Sequence, residues 1–211
     1  MTRIETLCSL LERADTFADV GCDHGYCAAY MLTNGLCREA VISDVSRASL
    51  AKAERLLAAH IEEGSCRANC ADGLTGIAED TSLVLIAGMG GMEIIGILER
   101  GFLPKRFVFQ PMKNTEALRR YLVGRGAKIE RDFTFYDGKY YDAIKGSRAG
   151  GSSYTEAEFR FGRDNLRERP ADFLRYLRHR IEREKEIASG LPEPLKGERE
   201  ALVKAMQEVV S

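Results

Sequence analysis

Residues 82–87 read SLVLIA, an apolar run with no polar residue after Ser82, and a glycine-rich turn, GMGG, follows at once. A short run that does not alternate fits a strand covered on both faces, and such strands belong to parallel sheets flanked by helices. The surrounding sequence agrees. Thr16–Val20 reads as a strand ending in a glycine turn, with a helix through Ala28–Leu32 behind it. Ala40–Ser43 is a second strand, ending at Asp44; Ser46 then caps a helix with Leu50, Ala53, Leu57 and Ile61 on one stripe. Cys66–Cys70 reads as a third strand, a helix runs from about Gly91 to Arg100, Phe107–Gln110 is a further strand, and Ala117, Leu118, Leu122 and Val123 mark the next helix. Ahead of all these, Leu7, Leu10 and Leu11 mark a first helix expected to end near Ala14–Asp15. This alternation predicts an α/β fold, a doubly wound and mostly parallel sheet with ligands at the strand C-termini.

The sheet is expected to finish differently. AKIERDFTFYDGKYYDAIKG holds two strand-like runs joined across Asp137-Gly138, a strong signal for an antiparallel hairpin. SRAGGSS, Ser147–Ser153, reads as a linker or loop. Beyond Thr155 the chain turns helical and charge-dense. Pro170 stands at a helix start, Phe173, Leu174, Leu177, Ile181 and Ala188 form a stripe, GLPEP breaks it, and Ala201, Leu202, Ala205, Met206 and Val209 form a second. The expected organisation is therefore a sheet domain over 1–153 and an antiparallel helical hairpin over 154–211.

Composition narrows the function. Net charge is -1 over 211 residues, so a nucleic-acid surface would have to be local. It is: between Arg100 and Arg131 nine basic residues face two acidic ones, and between Arg160 and Lys185 nine face five. Such patches fit contact with a phosphate backbone. No apolar run approaches the roughly 20 residues that cross a bilayer, and no basic-then-apolar leader stands at the start, so no membrane partner and a cytoplasmic location are expected. Six cysteines, all in the first third, have no zinc spacing and no histidine pair to complete one; they read as reduced thiols, with no metal expected. The paired helices at the end fit either RNA contact or pairing with a second copy, as a monomer or weak dimer.

Chemistry gathers where the strands end. ADVGCDHGY, Ala18–Tyr26, begins like a nucleotide-binding loop: strand, Asp19-x-Gly21, helix. Gly21 permits a turn that brings backbone N–H groups near a ligand, but Asp23 puts a carboxylate where a pyrophosphate site would want a bare glycine. That repels phosphate and suits a cation or hydroxyls. S-adenosylmethionine carries an ammonium and a sulfonium and no phosphate. Asp44, roughly 20 residues after Gly21, stands where ribose hydroxyls are held. Asp72, in CADGL, ends the third strand, where it could read an adenine amino group. In IAGMGGME, three glycines around Met89 let the chain approach a flat ligand closely. In FQPM, Pro111 stiffens the turn and Gln110 offers a donor and an acceptor to a base edge. Tyr136, Tyr140 and Tyr141 read as strand packing.

DVGCDHGY, SDV, ADGL, IAGMGG, FQPM and DGKYYDAI, in this order and followed by a helical hairpin, resemble the bacterial tRNA (adenine-22-N1)-methyltransferases over essentially the whole chain. Asp23-His24 after Gly21 and the AGMGG turn are the most specific parts, since generic methyltransferases usually have glycine where Asp23 stands. The resemblance implies a Rossmann-like class I methyltransferase sheet and a tRNA substrate gripped partly by the C-terminal helices. It implies S-adenosylmethionine bound by Gly21, Asp23, His24, Asp44, Asp72 and the Gly88–Gly91 turn (Gly88, Met89, Gly90, Gly91). Asp19, Cys22, Tyr26, Val45, Ser46, Gly73, Leu74 and Ala87 complete the expected cofactor site. Gln110, Pro111, Met112, Arg163 and Arg167 are the expected substrate contacts, and Asp23 and His24 the expected catalytic pair. One departure stands out: the family often has QPN after the fifth strand, whereas this chain has Met112, so an amide contact there would fall to Lys113 or Asn114.

Methyl transfer to neutral adenine N1 needs no general base to begin, because the nitrogen already carries a lone pair; alignment is the demand. Asp23 is expected to stabilise the cationic product, and His24 to shape the pocket or carry a proton. Two other classes share parts of this pattern. A nicotinamide-type oxidoreductase has the same Asp19-x-Gly21 start but fits poorly with Asp23 and the terminal hairpin. A non-enzymatic module that binds RNA or S-adenosylmethionine would show the same loops and basic helices.

Overall fold

The computed structural model describes residues 1–193 and 195–211. Its strands are β1 (Ala14–Val20), β2 (Cys37–Ser43), β3 (Cys66–Asn69), β4 (Leu83–Met89), β5 (Arg106–Pro111), β6 (Lys128–Asp137) and β7 (Lys139–Ser147). They form one sheet in the order β3–β2–β1–β4–β5–β7–β6. The first five are parallel; β7 runs antiparallel between β5 and β6. The expected hairpin is present, with Gly138 at φ 68° between Asp137 and Lys139.

Side-chain alternation explains how SLVLIA is used. Leu83 and Leu85 join Phe17, Met31, Ile42 and Leu50 in the core on one face. Val84 and Ile86 join Ala18, Val20, Ile94, Leu98, Leu118 and Leu122 on the other. Each such side chain contributes about 1.5–3 kcal/mol by burial, and a strand with both faces covered has no room for a polar alternate. The covering helices are α1 (Arg3–Leu10), α2 (Tyr26–Thr33), α3 (Arg47–Leu56), α4 (Ala58–Glu62), α5 (Gly91–Arg100) and α6 (Thr115–Gly124).

Two boundaries differ from expectation. The first helix stops at Leu10, not near Ala14–Asp15, because Leu11 is already extended and Ala14 pairs with Cys37 in the sheet. The helix capped by Ser46 breaks at Leu57 (φ -102°, ψ 16°), so one predicted helix is α3 plus the single turn α4.

The C-terminal part comprises α7 (Glu156–Phe161), α8 (Arg163–Glu168), α9 (Ala171–Ser189) and α10 (Leu195–Val210). Gly162, at φ 87°, separates α7 from α8. The long helices α9 and α10 return on one another around Phe173, Leu177, Ile181, Val203 and Met206. Ala201, expected in the stripe of α10, is exposed, and Val203 takes the buried position. Of the predicted GLPEP break, residue 194 lies outside the described residues. Among the described residues no helix is long and apolar enough to cross a membrane, and no group of three or more His, Cys, Asp or Glu side chains gathers as for a metal.

Candidate active site

The C-terminal ends of β1, β2 and β4 open onto a cavity of about 490 Å³. Eight of the residues expected to hold a cofactor line it: Gly21, Asp44, Val45, Asp72, Gly73, Ala87, Gly88 and Met89. The fit is close at Gly21, whose φ is +72° and where an added Cβ would fall 2.2 Å from the Met89 Cε. The Asp44 carboxylate accepts the backbone N–H groups of Ser46 at 2.8 Å and Asp23 at 3.3 Å. A carboxylate offers about four acceptor sites, so two remain for a ligand. Asp72 is exposed and pairs with Arg100 at 3.0 Å.

Met92, Glu93, Gly96, Ile97 and Arg100 also line the cavity and were not anticipated. They occupy one face of α5 at three-and-four spacing, a signal the sequence holds within a stretch it marks only as a helix from about Gly91 to Arg100.

The other nine expected cofactor residues lie outside the lining. The N–H groups of Gly21 and Cys22 are not offered to a ligand; both donate to the Ser43 carbonyl, at 2.8 and 3.1 Å. Cys22 is buried, and burial pushes its thiol far up from the ordinary range. Asp23, held at φ 44°, turns its carboxylate away to Lys52 at 3.0 Å, with His24 Nε2 at 3.6 Å. His24 stacks on the exposed ring of Tyr26, centroids 5.4 Å apart. Ser46 caps α3, Leu74 packs into the core, and Gly90 and Gly91 begin α5.

Asp19 lies beneath the turn, buried, near the Ala28 N–H, which favours its charged form. Burial pushes its carboxyl from the ordinary 3.8 up to about 7; the Asp44 charge adds to this and Arg3 opposes it. Between about pH 4 and pH 7 the folded chain therefore holds a proton that the unfolded chain has released, and stability from this group falls as pH rises through that window. Asp19→Asn is expected to gain stability relative to the parent at pH 8 compared with pH 5. Urea midpoints at the two values check this, and an identical offset at both would refute it.

A second cavity, of about 680 Å³, opens between the sheet domain and the C-terminal helices. Pro111 and Met112, two of the expected substrate contacts, line it, joined by Lys113, Asn114, Arg120, Tyr140, Tyr141, Arg160, Tyr176 and Arg180. Tyr140 packs between Tyr136 and Tyr176, with centroids at 5.0 and 5.1 Å. The Met112 N–H donates to the Met89 carbonyl at 2.8 Å, joining a wall of one cavity to a wall of the other.

Three expected substrate contacts stand elsewhere. Gln110 is fully buried; its carboxamide oxygen accepts from Arg3 Nε at 2.5 Å and its nitrogen donates to the Pro111 carbonyl, so it has no edge to offer a base. Arg163 is held by Glu158 at 3.0 Å and by the Tyr154 ring, and Arg167 by Asp164 and Glu168 at 2.9 and 2.8 Å. The basic surplus is likewise partly neutralised, with Arg120, Arg131, Arg175 and Arg180 all in ion pairs.

A parallel sheet whose last strand enters in reverse, with glycine turns and carboxylates rimming a cavity at the strand ends, defines a Rossmann-like methyltransferase domain. Residues 17–211 match the model of the family TrmK, tRNA (adenine(22)-N(1))-methyltransferase. The chain belongs to this family. A Mycoplasma pneumoniae protein described as a candidate tRNA methyltransferase is 36% identical over 124 residues, 57% of this chain and 58% of that one. The Bacillus subtilis tRNA (adenine(22)-N(1))-methyltransferase is 27% identical over 148 residues, 67% of this chain and 62% of that one. The matches thus span less than two thirds of the length of these curated relatives. In structure, the Streptococcus pneumoniae protein Sp1610, a candidate tRNA (m1A22) methyltransferase, superposes with a TM-score of 0.90 at 26% identity over 100% of this chain and 99% of that one. The same protein has been solved with S-adenosyl-L-methionine (TM-score 0.90, 24% identity, 100% of both chains).

Proposed function

We propose that this chain transfers a methyl group from S-adenosylmethionine to N1 of adenine 22, in the D-arm region of tRNA. The observation that carries the reading is the charge of the smaller cavity. Asp44, Asp72 and Glu93 line it, and its one lining cation among the described residues, Arg100, is already paired with Asp72. That suits a ligand with positive charge and hydroxyls. It opposes a dinucleotide, whose pyrophosphate would also need the Gly21 and Cys22 N–H groups that Ser43 has taken. The oxidoreductase alternative is disfavoured on both counts.

Asp44 would hold the ribose hydroxyls, and Gly21, Gly88 and Met89 would lie against the ligand. When bound, S-adenosylmethionine supplies an electrophilic methyl group on a sulfonium centre. The chain's remaining task is to align the adenine. A base-paired N1 is inaccessible, so the nucleotide must be unpaired or extruded, at about a few kcal/mol. The larger cavity offers Tyr140 and Tyr176 for stacking and Lys113 and Arg160 for flanking phosphates. Asp23, exposed beside His24 but outside both cavity linings, would exchange its Lys52 pair to stabilise the cationic N1-methyladenine product, with His24 shaping the approach. A tRNA substrate would place the protein in the cytoplasm.

Unmodified tRNA incubated with labelled S-adenosylmethionine should gain label, and reverse transcription should stop at position 22. No incorporation would favour a non-enzymatic module, and label at another position would refute the assignment. Asp23→Ala is expected to lower kcat by about 100-fold with cofactor affinity nearly unchanged. Full activity in that variant would remove Asp23 from the mechanism.

A further inference from the structure

Arg3 belongs to α1, outside the stretch matched by the family model, yet its guanidinium reaches the sheet's C-terminal edge. It does so by construction. Thr2 and Glu5 form a capping box at the start of α1, and the Arg3 N–H donates to the Asp137 carboxylate at 2.7 Å, which moors the helix to the β6–β7 turn. The side chain is half-buried, its Nε donates to Gln110 at 2.5 Å, and it lies against the Tyr141 ring at 5.6 Å. A Cβ on Gly88, which lines the smaller cavity, would stand 3.0 Å from Arg3 Nη2. The guanidinium therefore abuts the cavity wall at a position where glycine leaves nothing between.

Its partners do not complete it. Of five N–H donors, one is engaged by Gln110, and no carboxylate pairs with the guanidinium among the described residues. The neighbouring cations are otherwise committed: Arg100 to Asp72 and Lys52 to Asp23. A partly buried guanidinium that feels the buried Asp19 only through space, with no ion pair, pays a desolvation cost, and a carboxylate is the group that meets its planar donors best. The ligand assigned to this cavity brings one, since the amino-acid end of S-adenosylmethionine carries a carboxylate beside its ammonium. The cavity's own charged lining, acidic apart from Arg100, would repel that carboxylate.

We propose that Arg3 is a cofactor-binding residue that clamps the carboxylate of the methyl donor through its free Nη donors, while its Nε stays on the buried Gln110 behind the cavity wall. This rests on the reading that the smaller cavity takes S-adenosylmethionine, and it assigns to the N-terminal helix a direct part in ligand selection.

Calorimetric titration with S-adenosylmethionine and with its decarboxylated analogue tests the clamp directly. The parent protein is expected to bind the analogue about 30-fold more weakly. Arg3→Gln should weaken S-adenosylmethionine by a similar factor and leave the analogue nearly unchanged, so that discrimination disappears; Arg3→Lys should keep part of it. Equal weakening of both ligands by Arg3→Gln would show a merely structural role through Gln110 and overturn the proposal. So would a parent protein that binds both ligands alike, or an Arg3→Gln protein that keeps its discrimination but loses tRNA affinity, which would place the guanidinium on the RNA. A parent protein that binds neither ligand would instead refute the cofactor reading on which the clamp depends.

Discussion

Arg119→Met is expected to lower the free energy of unfolding by about 3–5 kcal/mol, more than the loss of any other ion pair in the molecule. Arg119 is 2% exposed and Asp132 1%, and Arg119 Nε reaches both carboxylate oxygens at 2.9 Å. The pair is the centre of a buried network. Arg119 Nη1 donates to the Phe159 carbonyl at 3.2 Å, the Tyr154 hydroxyl and the Arg163 N–H donate to Asp132, and the Asp132 N–H donates to Asp164. Asn165 accepts from the Thr134 N–H and donates to its hydroxyl and to the Phe161 carbonyl. Helix α6, strand β6 and helices α7 and α8 are held together by these bonds. Burial pushes the Asp132 carboxyl up and Arg119 pulls it back, so without the guanidinium a buried carboxyl must either stay charged and unpaired or take a proton. The variant should consequently lose stability as pH rises. Arg119→Met/Asp132→Leu, which removes both charges, should recover most of the loss. Urea midpoints of the three proteins decide the matter: a single-variant loss below about 1 kcal/mol, or a double variant no better than the single, would show that the network is not what joins these elements.

This network also marks where the sequence stops being readable. SLVLIA and the Asp137-Gly138 turn are local signals, and each produced the element it predicted because sheet burial and hairpin geometry act over a few residues. The split at Gly162 and the break at Leu57 depend on what the helices must reach. The site divides in the same way. Asp44, Asp72 and the glycine turns stand at strand ends, where topology alone places them, and they line the cavity. Asp23 has the right position in the chain, but a left-handed backbone swings its carboxylate to Lys52, 29 positions away. The sequence offers Gln110 as a base-reading amide, but its partner, Arg3, is 107 residues distant, beyond any periodicity. Arg163 and Arg167 are a different case. Their acidic partners lie five residues or fewer away, and a count of carboxylates within that reach, rather than of net charge, would have shown them engaged.

Gly91→Ala is expected to damage fold and site together, because the glycine sits where the two cavity-forming turns touch. A Cβ there would fall 2.4 Å from the Asn114 carbonyl oxygen and 3.0 Å from that of Lys113. The Gly91 N–H donates to the Lys113 carbonyl at 2.7 Å, so the turn after β4 and the turn after β5 are locked at this point. Asn114, at φ 58°, has little freedom to withdraw. The added methyl must therefore part the turns, at about 1–3 kcal/mol, and move Met89 in one cavity together with Met112 and Lys113 in the other. For a chain of this length each kcal/mol corresponds to about 2–4 °C in Tm, and S-adenosylmethionine affinity should fall about tenfold. Gly124, at the end of α6 with nothing within 4 Å of its Cβ position, supplies the control. Gly124→Ala should leave cofactor affinity unchanged and hold or raise Tm, since alanine relieves the backbone entropy of a helical glycine. If both variants melt and bind alike, contact between the turns is not what shapes the site, and the cavities must be held open by the sheet alone.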